Sequence, residues 1–267
     1  MQTISKQYIG YKATPVLWKK KNSWGLTQFT LSKSDVPPFN AVVNVPLRLG
    51  KLVERFVSFD LCLQDDVDIL AENIQIQENK RTLGEIDCIL KQGNQYIHLE
   101  IVYKFYLYDP EVGATEYEHW IGPNRKDSLI DKLTKLKDKQ LPLLYNPATI
   151  PYLDNLKIAP ETIAQHVYFK AQLFVPYNTI THVFGDLNPD CIAGVYIHFN
   201  ALSHFKDSKF YMPKKLNWLC NIEMQVPWLT FFDFKEKIKP LILNKTAPLC
   251  WVKQPNGLTL KCFVVWW

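Results

Sequence analysis

The stretch from Gly84 to Tyr108, GEIDCILKQGNQYIHLEIVYKFYLY, constrains this chain more than any other. Residues alternate in character on both sides of Gly93-Asn94, and that dipeptide suits a two-residue hairpin turn because Gly and Asn tolerate positive φ. A turn there pairs Gln92 with Gln95, Leu90 with Ile97, Cys88 with Leu99, Asp87 with Glu100 and Ile86 with Ile101. Strand side chains alternate between faces, so one face of the hairpin is wholly apolar and packs on a core. The other face carries Glu85, Asp87, Glu100, Val102 and Lys104, with His98 beside Glu100.

Directly opposed carboxylates lie about 5 Å apart at Cβ, where like charges destabilise a sheet. A shared proton, a neighbouring cation or a metal must offset the repulsion. Hard divalent ions such as Mg²⁺ take carboxylate oxygens, so an Asp/Glu pair on neighbouring strands suits them. Lys104 adds a cation able to stabilise charge developing on a phosphoryl group.

The chain has 267 residues, 47% of them hydrophobic and 13% aromatic, enough to build a real core and to exclude a disordered chain. The net charge of +5 permits a polyanionic partner without demanding one. No apolar run reaches the length of a membrane span, and the start lacks a secretory pattern. Six scattered cysteines with no C-x-x-C pair, and histidines without metal spacing, argue against a zinc site or a disulfide framework. A reduced, cytoplasmic setting is the expectation. Phosphate-loop, dinucleotide-binding and α/β-hydrolase motifs do not occur.

Hydrophobic spacing predicts a helix over 47–63, opening near Pro46, with Leu49, Leu52, Val53, Phe56 and Leu63 on its apolar stripe. A strand follows in VDILAENIQIQ, then the hairpin. Residues 109–124 read as a loop, and 127–141 as an amphipathic helix capped by Asn124 or Asp127. From Pro142 onward the signals are short β-like runs: HVYFKAQLFVPY, AGVYIHF, KFYMP and LKCFVVWW. This partition gives an N-terminal segment (1–45) ending in the connector SDVPPFN, a core (46–145) and a β-rich C-terminal extension (146–267). The extension either completes the core sheet or forms a small subdomain.

GEID followed by a hairpin and an acid-bearing strand resembles the PD-(D/E)XK nuclease superfamily. HLEIVYKFYLY, WIGPNRKDSLIDKL and MPKKLNWL resemble an uncharacterised bacterial family catalogued as domain of unknown function 1853. The superfamily resemblance implies a restriction-endonuclease-like α/β fold, a mixed and mainly antiparallel central sheet flanked by helices. It implies Asp87 and Glu100 as ligands of Mg²⁺ or Mn²⁺, a further acid from the preceding helix, for which Glu54 is the candidate, and a lysine that assists phosphodiester hydrolysis. The usual E-x-K spacing would put that lysine at 102, where this chain has Val102. Lys104 points to the same face about 13 Å along the strand from Glu100, and Lys132 on the following helix is another substitute.

The expected function is Mg²⁺-dependent cleavage of nucleic acid, DNA foremost, with Arg125, Lys126, Lys132, Lys214 and Lys215 contacting the substrate. The alternative is an inactive nuclease fold that binds nucleic acid or a protein partner. A carboxylate pair near 5 Å also suits a retaining glycosidase, but the order of helix and strands fits the nuclease fold better.

Overall fold

The computed structural model describes residues 3–31, 37–39, 47–178 and 184–267. Pro46, His182 and parts of the SDVPPFN connector lie outside them. Helix α1 spans Thr3–Ala13 and α2 spans Leu49–Cys62. Strands β1 (Val67–Glu78), β2 (Arg81–Gln92) and β3 (Gln95–Tyr108) follow, then the short β4 (Trp120–Ile121). Helix α3 (Leu129–Lys135) runs into a wide π turn at Leu136–Gln140, and α4 covers Ile150–Leu156. The C-terminal half supplies β5 (Ile163–Pro176), β6 (Ile192–His198), β7 (Lys209–Tyr211), α5 (Phe231–Leu243), β8 (Leu249–Lys253) and β9 (Thr259–Val265).

All nine strands join one mixed sheet, in the order β1-β2-β3-β5-β6-β9-β8-β7 with β4 on the end of β3. Strands of the C-terminal half therefore complete the sheet begun by the hairpin. Its middle is parallel, β3 to β5, β5 to β6 and β6 to β9, with antiparallel pairs toward the two ends. The mainly antiparallel sheet expected from the hairpin thus holds only away from the centre. Parallel strands are covered on both faces, and β5 is buried at every position from Val167 to Phe174. On one face α1 and α2 contribute Tyr8, Tyr11, Leu52, Val53 and Phe56 to a cluster with Leu99, Phe105 and Phe174. On the other face Leu129 and Leu133 of α3 join Val102, Tyr106, Phe169 and Leu173.

Two helices, α4 and α5, lie in the half read as β-rich, outside the β-like runs singled out there. Three phenylalanines in its first four residues give α5 the look of a strand. Its start is nevertheless encoded, since the Thr230 side chain accepts from the Asp233 N–H as an N-cap.

Candidate acidic site

The hairpin forms with the expected register, Gln92↔Gln95, Leu90↔Ile97 and Cys88↔Leu99. Gly93 alone of the two turn residues takes positive φ, at 58°. The ladder then stops. Beyond Cys88↔Leu99 the strands part, and the Asp87 carboxylate accepts the Ile101 N–H at 2.9 Å, where a backbone carbonyl would have stood. Ile86 therefore does not pair with Ile101. It packs on the opposite side of the sheet from Cys88, with Ile76, Ile89 and Leu144. The reversal coincides with Asn73 of β1, held at φ 53° between the Glu72↔Cys88 and Ile74↔Ile86 pairs. Parting of the strands opens a gap, and there α2 and α3, which cover opposite faces, both reach the acids.

Glu54 comes from α2, three residues past Lys51 and on its partly buried side. One carboxylate oxygen from each of Glu54, Glu85 and Asp87 lies within 4.8 Å of the others, all three half-buried. Lys51 bridges this group, donating to Glu54 at 2.7 Å, to Glu85 by a short contact and to the Asn73 side chain at 3.0 Å. Burial alone would pull the Lys51 ammonium down, but its bonds to Glu54 and Glu85 hold it above its usual range. Burial raises the Glu54 carboxyl against the pull of Lys51. Burial, with the charges of Glu100 and Glu54, pushes the Asp87 carboxyl up to about 8, against the Ile101 N–H and Lys132.

Glu100 is fully buried beside this group and is held by two side chains. His98 Nε2 lies 3.1 Å from one carboxylate oxygen, and the Gln140 amide donates to the other. Gln165 donates to His98 Nδ1 at 3.2 Å, which leaves the ring proton on Nε2 to donate to Glu100. Gln140 in turn accepts from Lys132 Nζ at 2.6 Å. Two α-helical turns take about 7 residues, but the π turn adds one, so Lys132 and Gln140, eight apart, align on one side of the helix. Burial brings the Lys132 ammonium down to about 8, opposed by Glu100 and Asp87. Val102, where the superfamily resemblance would put a lysine, is buried in the apolar cluster that includes Leu129 and Leu133 of the helix carrying Lys132.

The other predicted site residues are dispersed. Lys104 donates to Asp127 at 2.6 Å. With Asp127 so engaged, the N-cap of α3 is Ser128, whose side chain accepts from the Asp131 N–H, and Asn124 accepts from Ala247. Arg125 pairs with Asp109 at 2.8 Å, and its guanidinium lies 4.6 Å from the centre of the Trp267 ring. Lys126, Lys214 and Lys215 are exposed. The 109–124 loop is folded on itself and its neighbours: His119 contacts the Val112 carbonyl, Glu118 accepts from Ala114 and Thr115, and Glu116 from Gly185 and Asp186.

Glu85, Gln140, Gln165 and Lys51 went unassigned in the sequence. Glu85 has the same strand parity as Asp87, which was the signal available for it. Gln140 was visible as a polar residue among the inward positions of a helix. Lys51 carries no signal beyond lying one turn before Glu54.

The carboxyl oxygens of Glu54, Glu85 and Asp87 form the kind of hard donor set that divalent ions such as Mg²⁺ accept. Among the described residues no helix is long and apolar enough to cross a membrane, and the six cysteines are free. No curated protein and no solved structure matches the chain. A family model described as a domain of unknown function (DUF1853) matches residues 12–261, nearly the whole chain, and the protein belongs to that family.

Proposed function

We propose that this protein is a Mg²⁺- or Mn²⁺-dependent phosphodiesterase acting on nucleic acid, built on a restriction-endonuclease-like core. The observation that carries the reading is the convergence of Glu54, Glu85 and Asp87 within 4.8 Å at the point where the hairpin strands part. Supporting it, the order of helix, diverging hairpin and covering helix around those acids is the one the superfamily resemblance implies.

Glu54, Glu85 and Asp87 would hold the ion, with Glu100 behind them. A bound divalent ion supplies Lewis-acid polarisation of a phosphoryl oxygen. Lys132 stands in for the lysine missing at 102. Near neutral pH it keeps a substantial fraction of its charge, and a half-buried cation stabilises charge developing on a phosphate more strongly than an exposed one. Gln140 fixes Lys132 against Glu100, and His98 with Gln165 fixes Glu100. Lys104, tied to Asp127, lies farther along β3 and serves the substrate rather than the reacting phosphate.

Titration calorimetry of Mn²⁺ and Mg²⁺ into wild type and Asp87→Ala tests the reading. Saturable binding in wild type that disappears in the variant is expected, with metal-dependent hydrolysis of an oligonucleotide lost alongside it. Absence of binding by wild type, with and without an oligonucleotide present, overturns it. The buried Val102 favours a second reading, a nuclease fold that retains the metal and binds without cleaving. Metal binding with no turnover on single- or double-stranded DNA or RNA would select it.

A further inference from the structure

The sheet is notched on one flank of β3. β2 pairs with β3 no farther than Leu99 and β4 pairs only from Leu107, so between these points β3 has no strand on that side among the described residues. A cleft of about 650 Å³ lies there. Gly50, one helical turn before Glu54, lines it on one side, and Tyr103, Lys104 and Phe105 of β3, a few residues past Glu100, line it on another. Arg48, Lys104, Lys126 and Lys215 line it, against the single acid Asp127.

Four cations to one carboxylate contrasts with 31 basic to 26 acidic residues over the whole chain. Lys104 is paired with Asp127, but Arg48, Lys126 and Lys215 pair with no carboxylate among the described residues. The cleft also has an aromatic wall. Trp218 is half-buried, wedged edge-on against Phe105 and Phe263 at 5.4 and 5.2 Å between ring centres, so its indole is held in place. The Lys215 ammonium lies 5.5 Å from that ring. Cations that follow a backbone, interleaved with a rigid aromatic platform, are the recurring parts of a single-strand nucleic-acid groove.

The aromatic platform separates single strand from duplex, because only an unpaired base offers its face for stacking on a side chain. The cleft's volume of about 650 Å³ lies within the range of small-ligand pockets. We infer that this cleft seats one or two nucleotides of a single strand, immediately beside the acidic site. The inference deepens the phosphodiesterase reading by naming its substrate as single-stranded, and its test needs no metal.

The experiment is fluorescence anisotropy with a labelled twelve-nucleotide oligothymidylate and a duplex of equal length, in chelator. Wild type and the double variant Lys126→Glu/Lys215→Glu are compared. Wild type should bind the single strand at least tenfold more tightly than the duplex. The double variant, altered only at exposed side chains and checked for an unchanged circular dichroism spectrum, should bind at least tenfold more weakly. Its salt dependence should flatten by about 1.4 in log–log slope, about 0.7 for each lost phosphate contact. Equal affinity for the duplex, or unchanged binding by the double variant, overturns the inference. Failure of the manganese titration would leave this result standing, so the two readings fail separately.

Discussion

Helix α2 carries two acids six residues apart, the half-buried Glu54 and the buried Asp60, and their surroundings could hardly differ more. Asp60 is almost completely enclosed, yet both its oxygens are engaged. Tyr8 donates to one by a short contact, and Tyr11 and Lys12 donate to the other at 3.0 and 3.2 Å. Lys170 completes that neighbourhood, giving its ammonium protons to the carbonyls of Tyr11 and Lys12, 4.6 Å from the Tyr11 ring centre. Glu54 faces Glu85 and Asp87 with Lys51 as the cation bridging it to Glu85, and Asp87 takes a single backbone N–H. Burial of a carboxylate is therefore no mark of function in itself. The difference lies in whether the fold supplies partners for the charge it encloses: at Asp60 it does, and at Asp87 it does not, so the carboxyl keeps a proton that a divalent ion would displace.

The largest expected effect breaks the Asp60 network. Asp60→Ala leaves two tyrosine hydroxyls without their acceptor and Lys12 without its pair, and should cost about 3–5 kcal/mol in urea unfolding. Asp87→Asn keeps an acceptor for the Ile101 N–H while removing a carboxyl whose ionisation its neighbours oppose, and should change stability by less than about 1 kcal/mol or raise it. Comparable losses in the two variants would sink the contrast and mark Asp87 as structural.

Next in size is the cation facing the acids. Lys132→Met should lower hydrolysis about 10²–10³-fold, the scale seen for removing one preorganised charge-stabilising donor. Mn²⁺ binding should persist, because the carboxylates are untouched. Loss of metal affinity in Lys132→Met, with wild-type hydrolysis regained at saturating Mn²⁺, would show that the lysine orders the acids and does nothing to the substrate.

These features were unequally legible in the sequence. The register from Gln92↔Gln95 to Cys88↔Leu99 follows from period-two alternation and a Gly-Asn turn, both local signals. The parting of the strands at Asp87 does not, because it depends on a side chain replacing a backbone acceptor and on Asn73, one strand away, adopting positive φ. Glu54 could be proposed as a helix acid, but its meeting with Glu85 needs the packing angle of α2 on the hairpin. Lys132 was readable as a substitute lysine. Its alignment with Gln140 was not, since the π turn departs from the helical period by which such faces are counted. The parallel centre of the sheet was hidden by distance along the chain: β3 and β5 run side by side over twelve residues although some fifty residues separate them.

A pH series isolates Asp87. In the folded chain its carboxyl holds a proton up to about 8, whereas in an unfolded chain an Asp releases it near 3.9. Between those values the folded state binds more protons, so stability falls as pH rises: the contribution is complete below the lower value and lost through the upper one. Lys132, lowered to about 8, has the opposite sign, but only above that pH, where the unfolded lysine stays protonated longer than the folded one. In chelator, the unfolding midpoint of wild type should therefore decline relative to Asp87→Asn from pH 5 to pH 8. Adding Mn²⁺ at pH 8 should restore wild type and leave the variant unmoved, because an ion that binds only the folded carboxylates shifts the equilibrium by mass action. A pH slope identical in the two proteins would mean that Asp87 is already ionised at pH 5, and that Lys51 and Lys132 suffice to hold the acids without a metal.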